Sequence, residues 1–303
     1  DLSTAYIWIA LLSAGTFGIV TVLDKRLASY NMPSLSAFYM GVMISLVSYA
    51  TVVLVITGVP EYRPNERLVA AVISGLCWGG ALAMMFWGYK LEEASRASAI
   101  IHTFPVFVAL LAVLFLGEIL KYGQWIAIII VVVGAMTISM WGSNTGKILR
   151  FNKGLPVLLG ASLFTALALL TGKYALEELP VWFVYSLRNY GMATVFIFLW
   201  RPGAFRQLYT ALGNRQTFVV LALAEFILAP LAVVLNVTAI NLGPVSLVST
   251  VTATRPVFVF IYGSILSIPA FKLLDEPLEI KTLSVKLAAI IIIVSGIAAL
   301  TLL

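Results

Sequence analysis

With 303 residues, of which 61% are hydrophobic and 11% charged, and a mean hydropathy of +1.04, the chain lies outside the range of soluble domains and reads as an integral membrane protein. A single cysteine, Cys77, excludes an intramolecular disulfide, and with the lone His102 it is too little for a Cys/His metal site. The net charge of +6 is therefore read as loop topology and not as nucleic-acid binding.

A bilayer core of about 30 Å needs roughly 20 apolar residues per helix. In chain order, ten such runs are predicted: 4–23, 34–57, 68–88, 94–116, 122–141, 155–172, 181–200, 217–237, 245–268 and 284–303. The first lacks a basic leader and reads as a span, not a signal peptide. Connections are short and carry stop signals such as Asn31-Met32-Pro33, Gly58-Val59-Pro60 and Arg201-Pro202-Gly203. So little remains outside the bilayer that a soluble catalytic domain is excluded. Gly75-x-x-x-Gly79, followed by Gly80, gives the third span a flat face for close helix contact within the fold. Trp8, Trp125, Trp141, Trp182 and Trp200 lie near span ends, as interfacial tryptophans do.

The two halves repeat one another. Ala94-Ser95, Ser98 and Phe104-Pro105-Val106-Phe107-Val108 correspond to Val245-Ser246, Ser249 and Arg255-Pro256-Val257-Phe258-Val259. Gly117-Glu118 and Asp275-Glu276 follow, and each half closes on an aliphatic run holding Gly134 or Gly296. Lys25 and Lys173 each end the first helix of a half, ahead of Pro33 and Pro180. Five spans is an odd number, so the second copy, 149–303, is expected to lie inverted relative to the first, 1–148. The fold class is thus all-α integral membrane, ten transmembrane helices in two inverted five-helix repeats.

All but two of the 19 Lys and Arg fall in loops or at helix ends; the exceptions are Arg188 and Arg255. A charge at such depth costs about 2.5–3.5 kcal/mol on insertion scales and is expected to face a partner or a wet cavity. Glu225 is the only carboxylate this reading places inside a span. Arg188 and Glu225 either form a structural ion pair or, with Arg255, hold an anionic or zwitterionic substrate, to which an arginine fork is suited. Pro256 frees the carbonyl of Thr252, and Pro105 that of Ile101, so the two prolines are candidate hinges, with Thr250, Thr252 and Thr254 able to compensate locally. His102 and Glu225 are the candidates for proton coupling. Tyr39, Trp78, Trp87, Tyr185 and Asn189 are further candidates to line a cavity.

This order of features, a basic residue ending the first helix and a Ser-rich fourth helix running through Pro-Val-Phe to Gly-Glu, resembles the EamA-type branch of the drug/metabolite transporter superfamily over nearly the whole chain. The resemblance implies a central cavity lined by the fourth and ninth helices, and substrates among amino acids, metabolites, nucleotide-linked sugars or drugs. The chain departs from it around Tyr39 and Met40, where the family often has an arginine, and at the extra segment Ile268-Pro269-Ala270-Phe271. Loop cations gather on the face of Lys25, Arg26, Arg201, Arg206 and Arg215, against Arg63, Arg67, Lys121 and Lys173 opposite. By the positive-inside rule that puts both termini outside, whereas the resemblance implies both in the cytoplasm.

The expected function is secondary-active transport of a small organic metabolite, as exporter or exchanger, by alternating access. The expected setting is the plasma (inner) membrane, as a monomer or weak homodimer, with a small-molecule substrate and membrane lipid as partners and no nucleic acid. No cofactor is expected. The alternatives are a translocator of a lipid or lipid-linked sugar and an intramembrane enzyme, for which one His and one Cys on different helices offer little.

Overall fold

In hydrocarbon a backbone amide has no water to bond, so an apolar segment must satisfy its own backbone, and the helix is the form that does so within one segment. The computed structural model describes residues 4–27, 31–91, 100–140, 154–266 and 280–302, and among these no strand occurs. The helices are α1 (Ala5–Arg26), α2 (Leu35–Thr57), α3 (Asn65–Leu91), α4 (Phe104–Phe115), α5 (Tyr122–Met140), α6 (Gly154–Leu176), α7 (Val181–Phe198), α8 (Ala204–Leu212), α9 (Arg215–Leu221), α10 (Ala229–Leu242), α11 (Val245–Thr252), α12 (Arg255–Leu266) and α13 (Ile280–Leu302). A π-helical turn, Ala222–Leu228, joins α9 to α10 in one continuous span.

Among the described residues six helical segments are long and apolar enough to cross a membrane, and three shorter apolar helices join them: Phe104–Phe115, Tyr122–Thr137 and Leu287–Ile297. The tenth span is α7, with Arg188 and Asn189 near its middle. Large apolar side chains such as Ile56, Leu114, Phe198 and Ile291 face outward, as lipid contact requires. The chain is an integral multi-pass membrane protein.

Connections on alternate sides of ten spans should meet one another, and they do. At one end Glu118 accepts from Val245 N at 2.7 Å, and Lys173 Nζ donates to Gly243 O at 2.9 Å. Also at that end, Arg67 pairs with Glu177 and Glu178. At the opposite end Asn31 donates to Thr217 Oγ1 at 3.0 Å, and Ser34 bonds Gln207. The stretch after α7, read as a plain loop from sequence, instead holds α8, which buries Ala204 and Leu208 against α2 and leaves Phe205 and Tyr209 outward.

Helix pairing is nearly unchanged when the halves are exchanged. α3 packs on α6 as α10 does on α1; α4 packs on α6 as α11 and α12 do on α1; and α2–α7, α4–α11 and α5–α13 are pairs across the halves. The exception is α3–α7, far more extensive than its counterpart between the π turn and α2. Its cause is glycine: a methyl on Gly75 would overlap the backbone of Arg188, and one on Gly191 would lie 3.0 Å from Leu76 N and 3.1 Å from Gly75 Cα. The two backbones touch, as small residues permit in lipid.

The fourth and ninth spans break at the same place. Residues 94–99 lie outside the described residues; from there Ile100 and Ile101 are helical, His102 and Thr103 form a turn, and α4 begins with Phe104-Pro105. In the second half α11 ends at Thr252, Ala253 and Thr254 form the turn, and α12 begins with Arg255-Pro256. Hydrogen bonds repeat too: Thr103 Oγ1 donates to Ile100 O and Thr254 Oγ1 to Val251 O, both at 2.7 Å. Proline is favoured in the first turn of a helix, so both prolines start a new helix and do not merely bend an old one.

Gly75→Ala is expected to destabilise the fold by about 1–3 kcal/mol through overpacking, despite the helix-propensity gain. Gly15→Ala, whose methyl would meet Phe258 at 3.4 Å, should be neutral or stabilising. Thermal unfolding of the two purified variants in detergent checks this.

Candidate functional site

Pro230, two residues past the π turn, has no N–H, so the carbonyl of Phe226 loses its donor in the α pattern and that of Glu225 its donor in the π pattern. α2 supplies replacements: Tyr49 donates its hydroxyl to Phe226 O, and Ser45 donates to Glu225 O. The extra residue in the turn directs Glu225, 5% exposed, toward α1, where its carboxyl lies against that of Asp24, within reach of a shared proton. Arg255, at the start of α12, lies within electrostatic reach of Asp24.

This corrects two expectations. Glu225 is not the only carboxylate inside a span, because the apolar segment of α1 runs Ala5–Asp24 and the predicted 4–23 stopped one residue short. Nor do Arg188 and Glu225 pair: among the described residues the ion pairs fall on Arg67, and Glu225 is engaged by Asp24. Asp24 was masked by Lys25-Arg26 after it, which make it look like part of a solvated helix end.

Arg188 instead points into a small cavity of about 10 Å³ where both halves meet, lined by Phe17 of α1, Gly75 and Trp78 of α3, Arg188, Asn189 and Met192 of α7, and Val233 and Asn236 of α10. Its guanidinium lies over the Trp78 ring at 5.0 Å and beside Gly172, whose missing side chain leaves it room. Phe17 stacks on Trp78 at 6.5 Å, and Arg255 sits over Phe17 at 4.3 Å. Two arginines of the second half thus bracket two aromatics of the first.

The other predicted residues are placed differently. Thr252 turns its hydroxyl back to Val248 O at 2.8 Å, one turn before its own carbonyl, the one that Pro256 frees. The carbonyl of Ile101, freed by Pro105, accepts from Ser162 of α6 at 3.2 Å. His102 occupies the turn before α4. Tyr39 packs among Phe38, Phe86 and Phe196, and Tyr185 lies beside Asn189 and Trp182; neither lines the cavity. Trp87 is 57% exposed. Ser95, Ser98, Asp275, Glu276 and the segment 268–271 lie outside the described residues. Asn236 and Asp24 were missed from sequence; an asparagine in the middle of an apolar run was the available signal for the first.

The cation-poor end is crossed by polar contacts. Arg67 Nε donates to Glu178 Oε1 at 2.8 Å and Nη1 to Glu177 Oε2 at 2.7 Å, while its guanidinium covers the Tyr174 ring at 3.6 Å. The Tyr62 phenol, donating to Glu178 and close to its charge, is held above its ordinary range. Glu118 also accepts from Ser246, capping the N-terminus of α11 from the other half of the chain.

Residues 4–140 match the model of the EamA-like transporter family. This half of the chain is similar to that family. An uncharacterized transporter in the cobO 3′ region of a Sinorhizobium species is 29% identical to the chain over 82 residues, 27% of this chain and 58% of that relative. A solved crystal structure covers 99% of this chain and 96% of its own with a TM-score of 0.68 at 16% identity, so the likeness to known folds extends over the second half as well. The EamA-like half supplies Asp24, Phe17 and Trp78; the half beyond it supplies Glu225, Arg255, Arg188 and Asn236.

Tyr49→Phe is expected to lower stability by about 1 kcal/mol, because it leaves the Phe226 carbonyl without a donor in a dry environment. Tyr209→Phe, at a side chain 82% exposed, should leave the melting temperature unchanged.

Proposed function

We propose that the protein is a secondary-active transporter of a small organic metabolite, in which two inverted five-helix units, 1–148 and 149–303, rock about the central polar groups and proton movement supplies the drive. The observation that carries this reading is the Asp24–Glu225 pair, one carboxyl from each half. Two carboxyl groups share a hydrogen bond only when one of them holds a proton. The groups facing them are Arg255 from α12 and the hydroxyls of Ser45 and Tyr49 from α2, which bond the backbone of the π turn.

Parting α1 from the π turn breaks the shared hydrogen bond and gives each carboxyl access to water, where the proton leaves; Arg255 then favours the ionised form. Rejoining requires a proton from the other side. The broken fourth and ninth spans, with Pro105 and Pro256, are the hinges, since a helix already interrupted can change direction without losing further bonds. The state described is closed at the cation-poor end by Arg67, Lys173 and Glu118. Arg188 and Arg255 face the substrate side of the site, Thr252 supports the break, and His102 in the α4 turn is the second candidate proton carrier. The setting proposed is the plasma (inner) membrane.

In proteoliposomes with an imposed pH gradient, Glu225→Gln and Asp24→Asn are each expected to abolish gradient-driven uptake while solute exchange continues, and His102→Gln to leave the drive intact. Uptake still driven by the gradient in both carboxyl variants would remove this pair from coupling.

A further inference from the structure

The cavity at the junction of the halves contains hydrogen-bonding capacity that the protein itself leaves unused. Arg188 is 5% exposed and Asn236 1%. Arg188 Nη1 and both side-chain amide atoms of Asn236 have no hydrogen-bond partner among the described residues, and both side chains line the cavity. An unmade bond of this kind is costly in a buried setting, more so when the group is charged, and native structures rarely keep one without a use. Of the other polar groups nearby, Ser74 donates to Ala168 O, Glu225 lies against Asp24, and Asn189 lines the cavity beside Tyr185.

We propose that this cavity takes the carboxylate of a small organic acid bearing a hydrogen-bond donor on its α-carbon. Arg188 Nη1–H and one Asn236 amide hydrogen donate to the carboxylate, and the Asn236 carbonyl accepts from the α-substituent. Because an asparagine side chain offers one donor group and one acceptor whichever way its amide is turned, the assignment does not depend on its orientation. Trp78 and Phe17 form the apolar wall against which the rest of the solute lies. At about 10 Å³ the cavity holds no more than about one water, so the described state is contracted around the site and the solute enters when the halves part. A lone water could fill the space and bond the same atoms, but it would leave the Arg188 charge uncompensated.

The inference names the substrate class of the transporter proposed above and rests on that reading, yet its test needs neither a gradient nor transport. The full chain in detergent is heated with lactate, alanine, propionate and lactamide, and with their homologues up to nine carbons. At least one α-hydroxy or α-amino acid should raise the wild-type melting temperature at concentrations where the matching unsubstituted acid and amide do not; which of the two does so identifies the α-substituent. Arg188→Gln should weaken that binding by about 10- to 100-fold with an unligated melting temperature equal to or above wild type, since an uncompensated buried charge has been removed. Asn236→Leu should keep carboxylate binding but lose the preference for an α-donor. Should Arg188→Gln not fold, Arg188→Lys decides: reduced affinity supports the site, because the ammonium lacks the planar fork, and unchanged affinity overturns it. Absence of any shift from the whole panel in wild type, or an undiminished shift in Arg188→Gln, also overturns it and leaves the cavity to a buried water. Selective binding without pH-driven uptake would strike the coupling reading alone.

Discussion

A carbonyl released by proline inside hydrocarbon has no water to accept from, and the chain meets that constraint by borrowing donors from its other half. Pro230 strands the carbonyls of Phe226 and Glu225, and Tyr49 and Ser45 come from α2 to meet them. Pro105 strands the carbonyl of Ile101, and Ser162 comes from α6. The residues that interrupt the helices are thus also the ones that hold the halves together. The π turn that follows from Pro230 is what brings Glu225 round to Asp24.

Two permanent charges in a low-dielectric interior need something beside them to offset their lost hydration. Phe17 and Trp78 provide it, each offering a ring face to one guanidinium. A cation over an aromatic face gains about 0.5–2 kcal/mol, more when desolvated, enough to moderate burial but not to replace a counter-ion. Arg255 has the Asp24 carboxyl within electrostatic reach, while Arg188 makes no ion pair among the described residues and lies against ring, glycine and amide. The arrangement divides the centre of the molecule into an acidic side and a cationic side, with Phe17 touching both. Movement of α1 would therefore be felt at once by both.

The closed end is held by bonds of a kind that can be remade. Exposed ion pairs are worth about 0.2–1 kcal/mol each, and Arg67 with Glu177 and Glu178 sits partly in that regime, at side-chain exposures of 12%, 42% and 31%. Lys173 on the C-terminal carbonyls of α10 and Glu118 on the N-terminus of α11 add the attraction of helix ends for opposite charge. By contrast the Gly75–Gly191 crossing of α3 and α7 is backbone against backbone, with no slack. The polar contacts at this end and the fixed crossing thus lie at different depths, although α3 carries both Arg67 and Gly75.

By itself the sequence determined the spans, because hydropathy over about 20 residues reports membrane depth directly, and it marked the matched breaks, because proline acts locally whatever surrounds it. It also flagged Arg188, Arg255 and Glu225, since each is an exception within an apolar run. Facing is another matter: hydropathy says how deep a residue lies and nothing about which neighbour it meets. Asp24, beside two cations at a helix end, and Asn236, a lone amide in an apolar run, gained their meaning only when α1, the π turn, α7 and α10 came together from distant parts of the chain. The tertiary structure alone decided that Glu225 goes to Asp24 and leaves Arg188 to the cavity, because the extra residue of the π turn rotates one carboxyl toward α1, and nothing in the local sequence measures that rotation.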